Sequence, residues 1–184
     1  NNLNDVKQFA IAENLEVRDD GDNTPLMLAT QNNNHQAAEI LILAGADVNA
    51  KNKIQDTPYL LAGAQGYTEI LRLTLTHGAN IKDTNRYGGT ALIPAAEKGH
   101  PEAVKLLLDA GADPNFVNNL SWTALMEVVL LGDGSPKYEQ ITDILLEGGA
   151  DPNIPDKKGV TALQYAKQKG FKNIASSIEK HGGK

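Results

Sequence analysis

The chain has 184 residues, 41% of them hydrophobic and 22% charged, with a net charge of −6. That composition suits a soluble globular protein with a sizeable core, and its acidic balance argues against a general nucleic-acid binder, which needs a basic surface to displace counterions. With no cysteine there are no disulfides and no thiolate zinc sites, and no apolar run reaches the roughly 18 residues of a membrane span.

Taken in chain order, residues 2–17 read as half of a structural unit, with Val6, Phe9, Ala10 and Ile11 as the apolar side of one helix. Ala12-Glu13-Asn14 stands where later units carry Gly-Ala-Asp. From there two markers recur. Thr24-Pro25-Leu26, Thr57-Pro58-Tyr59, Thr90-Ala91-Leu92 and Thr123-Ala124-Leu125 are each 33 residues apart, and Thr161-Ala162-Leu163 follows after 38. Gly45-Ala46-Asp47, Gly78-Ala79-Asn80, Gly111-Ala112-Asp113 and Gly149-Ala150-Asp151 keep the same step of 33, 33 and 38. Each threonine is expected to cap a first helix through its hydroxyl, with Pro25 and Pro58 in the first turn, where a missing N–H does no harm. Each glycine is expected to end a second helix in the left-handed conformation. The runs Ile70-Leu71-x-Leu73-x-Leu75 and Ala103-Val104-x-Leu106-Leu107-Leu108 supply the apolar face of second helices. The Asn- and Asp-rich stretch after each glycine motif reads as a hairpin-like turn. At the far end Ser176, Ser177 and Glu179 replace apolar positions, as a terminal cap requires.

This period and the Thr-Pro-Leu-type motif resemble the ankyrin repeat, whose unit is about 33 residues with the signature Thr-Pro-Leu-His-x-Ala. The signature's His is replaced throughout, by Met27, Leu60, Ile93, Met126 and Gln164, from which looser capping is expected. The resemblance implies an all-α solenoid of antiparallel helix pairs joined by hairpin-like loops. It divides the chain into one domain, with a half-repeat cap at 1–17 and repeats at 18–50, 51–83, 84–116, 117–154 and 155–184, the last a C-terminal cap.

The fourth repeat carries five extra residues within Gly132-Asp133-Gly134-Ser135-Pro136-Lys137-Tyr138. Ser135-Pro136 reads as a cap plus first-turn proline, so the second helix there should start about a turn early. Gly132-x-Gly134 superficially resembles a phosphate loop. It lacks the Gly-Lys-Ser/Thr ending and a preceding strand, which leaves a tolerated loop extension as the better reading. This insertion and the preceding TALIPAAEKGH segment look similar to those of some bacterial ankyrin proteins.

The resemblance also implies that a partner would touch the hairpin tips and the exposed side of the first helices. Read by phase from each threonine, the third and fourth repeats bring large apolar groups to those positions: Tyr87, Leu120, Trp122, Leu130 and Leu131, with Arg86, Glu97 and Lys98 around them. Aromatic groups beside arginine are the usual composition of a binding hot spot. Trp122, the only tryptophan, is either such a contact or packing for its own hairpin. Glu127 stands in phase with Leu28 and Leu61, so its carboxylate is either a ligand contact or a satisfied groove-facing group. One expectation joins Glu127, Lys98 and Tyr165 in a polar patch.

No catalytic, nucleotide-binding or metal motif is present. His77 and His181 share one phase beside helix-ending glycines, where a helix C-terminus explains them. His35 and Glu39 lack a third ligand. The expectation is a non-catalytic, cofactor-free and metal-free module, a monomer that binds another protein and neither nucleic acid nor membrane. The alternative is a small-molecule binder or enzyme using Glu97, Glu127 and Asp133. The lack of cysteine is compatible with the cytoplasm, which we favour, and with export from a bacterium. The opening at Asn1 in place of Met would follow from removal of a leader or disordered segment.

Overall fold

The computed structural model describes residues 2–11 and 13–184. A single helix, α1 (Leu3–Phe9), precedes five pairs: α2 (Pro25–Gln31) with α3 (His35–Leu43), α4 (Pro58–Gln65) with α5 (Thr68–Thr76), α6 (Leu92–Glu97) with α7 (Pro101–Asp109), α8 (Ala124–Leu131) with α9 (Pro136–Glu147), and α10 (Ala162–Lys169) with α11 (Lys172–Lys180). The first helices of the pairs lie against one another in one row, and α1 with the second helices forms another. No strand occurs among the described residues. The core runs continuously between the rows through residues such as Leu26, Ile70, Leu92, Leu107, Leu125, Ile141 and Ile174. Small residues allow the rows to close up. At Gly63, on α4, a Cβ would meet that of Ala91 at 2.9 Å.

Four threonines cap as expected: the hydroxyls of Thr24, Thr57, Thr123 and Thr161 accept the N–H groups of Met27, Leu60, Met126 and Gln164 at 3.2, 3.0, 3.2 and 3.4 Å. Losing the signature's His does not prevent capping, because the bond needs only a hydroxyl and a backbone N–H. Gln164 even completes a reciprocal box by accepting the Thr161 N–H at 3.0 Å.

Thr90 departs from the pattern. In the other repeats, the N–H of Leu28, Leu61, Glu127 and Tyr165 donates to the carbonyl of the threonine four positions back. Pro94 occupies that position in the third repeat and has no N–H to give. The Ile93 N–H donates to the Thr90 carbonyl instead, at 3.2 Å, a tighter turn. The Thr90 hydroxyl is left buried without a partner, and α6 shrinks to six residues.

Gly45, Gly78, Gly111 and Gly149 follow the second helices with φ of 104°, 87°, 90° and 92°, the left-handed conformation expected of them. Helix α9 spans 12 residues against nine in α7, so it does begin a turn early. Ser135 holds the cap position without a side-chain cap bond, and its N–H donates to Asp133 Oδ1 at 2.9 Å. Tyr138, in the added turn, donates its hydroxyl to the Glu97 carbonyl at 2.8 Å.

The N-terminal half repeat differs from expectation. Helix α1 packs on α3, where a second helix belongs, yet none of its residues is buried. Phe9 is 41% exposed, and Ile11 falls beyond the helix at 52%. Helix α1 borders an open cleft of about 670 Å³ with Val6, Val17, Leu28 and Leu41 on its walls. Ala12 lies outside the described residues. At the other end Ser176 and Glu179 face outward while Ile174, Ala175 and Ile178 fill the core.

Successive repeats are also stapled through side chains. Asn49 donates to the Gly78 carbonyl (3.0 Å) and accepts from the Asn80 N–H (2.8 Å). Asn115 makes the same pair of bonds with Gly149 (3.2 Å) and Asp151 (2.7 Å), and Asn153 with Gly182 (3.1 Å) and Lys184 (3.0 Å). Lys82 stands in this phase between Asn49 and Asn115 and makes neither bond.

Candidate binding groove

Each hairpin is shaped by an Asp or Asn five residues before the threonine. The Oδ1 of Asn85 accepts the N–H groups of Tyr87 (2.9 Å) and Gly89 (3.1 Å), and that of Asn118 accepts those of Leu120 (2.9 Å) and Trp122 (3.2 Å). Asp19, Asn52 and Asp156 do the same in their repeats. Local side-chain bonds of this kind set a turn before any distant contact forms. The tips of the third and fourth repeats are tied by the Asn119 N–H to the Tyr87 carbonyl, 3.1 Å.

These turns hold Tyr87 and Leu120 outward, 60% and 52% exposed, and Leu131 at the end of α8 is 52% exposed. Trp122 is half-buried. The Arg86 guanidinium lies 4.7 Å from the Tyr87 ring centre and 3.7 Å from the Asp56 carboxylate. Together with α4, α6 and α8 the tips enclose an open groove of about 560 Å³. Eight of the ten residues expected at a partner surface line it: Arg86, Tyr87, Glu97, Lys98, Leu120, Trp122, Glu127 and Leu131.

Leu130 and Tyr165 are not on that wall. The Leu130 carbonyl accepts Lys169 Nζ at 2.5 Å. The Tyr165 hydroxyl donates to Asp156 Oδ2 at 2.8 Å, a bond that with burial holds its pKa up. The expected patch of Glu127, Lys98 and Tyr165 is therefore not formed: the tyrosine is turned to its own hairpin. Asp133 is exposed on the inserted loop and does not line the groove.

Glu127 is 5% exposed. Its Oε1 accepts Asn118 Nδ2 at 2.7 Å, and since Asn118 Oδ1 is already engaged by the hairpin, the amide can only present its N–H₂ to the carboxylate. Burial raises the Glu127 pKa to about 7, the charge of Glu97 adds to the rise, and the Asn118 bond opposes it. Burial likewise raises Asp56, against the pull of Arg86 and Lys98. Asn118 was not singled out from the sequence, although its place in the column of Asp19, Asn52, Asn85 and Asp156 was open to view.

Elsewhere, His77 and His181 bond through Nδ1 to the carbonyls of Leu73 (2.8 Å) and Ser177 (2.9 Å) at the ends of their helices. Among the described residues, no three His, Cys, Asp or Glu side chains gather to hold a metal, and no helix is long and apolar enough to cross a membrane.

The paired rows, capped in step by threonines and glycines, agree with known proteins. A family model for ankyrin repeats in three copies matches residues 26–118 and 59–136. An ankyrin repeat domain from Acinetobacter baumannii superposes with a TM-score of 0.94 at 53% identity, covering 99% of this chain and 95% of that one. The chain belongs to the ankyrin-repeat family. A second bacterial ankyrin repeat protein, EF0377 of Enterococcus, aligns at 47% identity with a TM-score of 0.89 over 96% of this chain and 89% of its own. No curated protein sequence matches. Ankyrin repeats generally mediate protein–protein interaction, and their fold is typically a non-enzymatic scaffold.

Proposed function

We propose that this ankyrin-repeat chain is a non-catalytic, monomeric module that binds a partner protein through the groove and hairpin tips of its third and fourth repeats. One observation carries the reading. Tyr87, Leu120 and Leu131, each more than half exposed, border the same groove as Trp122, Arg86 and Glu97. By contrast Tyr59, on the neighbouring helix α4, is completely buried at 0%. Large apolar groups held out on a rigid frame lose little conformational entropy on binding, and their burial would supply about 25 cal/mol per Å².

The test is affinity capture from the source cell with the wild-type chain and with the Tyr87→Ala, Trp122→Ala double variant. A partner held by the first and lost by the second is expected. A partner retained equally by both would overturn the reading. Both side chains stand on hairpins and outside the continuous core, so the variant should keep its helical circular dichroism and melting temperature.

A further inference from the structure

The groove holds three carboxylates, Asp56, Glu97 and Glu127, and two cations, Arg86 and Lys98. Arg86 is already committed: it lies beside Asp56 and over Tyr87. The charges of both Arg86 and Lys98 act on Asp56, whereas the charge felt by Glu127 is that of another acid, Glu97. Glu127 takes a position that Leu28 and Leu61 fill in other repeats. It is 95% buried, and of its two oxygens only Oε1 has a hydrogen-bond partner. A buried carboxylate is normally paired. The other helices against α8 offer it no cation: from α9, Tyr138 bonds to the Glu97 carbonyl, and from α10, Tyr165 is turned to Asp156 and Lys169 to the Leu130 carbonyl.

We propose that this groove receives a basic side chain of the partner, arginine in preference to lysine, seated against Glu127 and Glu97, with flanking apolar residues on Trp122 and Leu131. This rests on the groove reading above. A guanidinium presents paired N–H donors to a carboxylate and stacks its flat face on an aromatic ring, and Trp122 lines the same groove. Glu127 then acts as a specificity residue: it rejects partners with a neutral or acidic group at that point, because they leave its charge buried and unpaired.

The experiment selects binders from a random peptide library displayed on phage, using the full chain as bait. Each selected peptide is then measured by calorimetry against wild type, Glu127→Gln, Glu97→Gln and Trp122→Ala. Glutamine at 127 still accepts from Asn118, so that variant should stay folded. Peptides that depend on Trp122 are expected to carry an arginine between apolar residues. They should bind Glu127→Gln on the order of tenfold more weakly. Replacing the peptide's arginine by citrulline, its neutral isostere, should cost a similar factor on wild type and little on Glu127→Gln.

Trp122-dependent peptides without a basic residue, or with equal affinity for Glu127→Gln and wild type, would overturn this inference and leave the groove reading standing. A library that yields only peptides indifferent to Trp122, or none at all, would overturn both.

Discussion

Glu127 is a buried carboxylate whose ionisation works against the folded state. Its pKa of about 7 in the folded chain stands above the 4.5 of an unperturbed glutamate. Between those values the folded state binds more protons than the unfolded one, so this group lowers stability as pH rises from about 4.5 to about 7. Glu127→Gln should therefore melt like wild type near about pH 4. It should be more stable near about pH 8, by on the order of 1–2 kcal/mol once water in the open groove is allowed for. Denaturant titrations at the two pH values check this, and equal stability at both would show that the carboxylate is well solvated. From sequence alone the residue stood out because a charge broke an apolar column. Its partner did not, because Asn118 looked like any other turn residue. The bond between them depends on the turn fixing which way the amide faces, and spacing does not reveal that.

At the scale of the helix, the recurring threonine is the strongest signal in the chain, and it was readable because a cap is a local matter of one hydroxyl and one N–H three residues on. Its failure at Thr90 was written in the sequence too, in Pro94, but required following the N–H that the proline lacks. The two kinds of threonine should respond differently to the same change. Thr57→Val should cost about 1 kcal/mol through the lost cap. Thr90→Val, which removes a buried hydroxyl with no partner, should be neutral or slightly stabilising. Thermal melts of the two variants side by side decide it, and equal losses would mean that Thr90 caps in solution.

In the whole molecule, stability is a sum over units and the junctions between them, so a weak junction matters more than a weak residue. Lys82 interrupts the asparagine staples. Because its own N–H bonds to Asn80 Oδ1 at 3.1 Å, as the Asn49 N–H bonds to Asp47 Oδ1 at 2.8 Å, the backbone there is already in the stapling conformation. Lys82→Asn should add about 1 kcal/mol and raise the melting temperature by roughly 3 °C; an unchanged melt would show that the staple contributes nothing. The order of the helices and their rows followed from period alone. The exposed state of Phe9 and Ile11 did not, since apolar periodicity marks a face that wants a neighbour without saying whether one is present.

The added turn in the fourth repeat has a consequence beyond its own loop. Through the Tyr138 hydroxyl it braces the main chain of Glu97 from behind, so the irregular unit supports the wall on which a guest would rest. Trimming that loop to regular length would remove the brace, and a perfectly even array would hold this wall more slackly than the uneven one does.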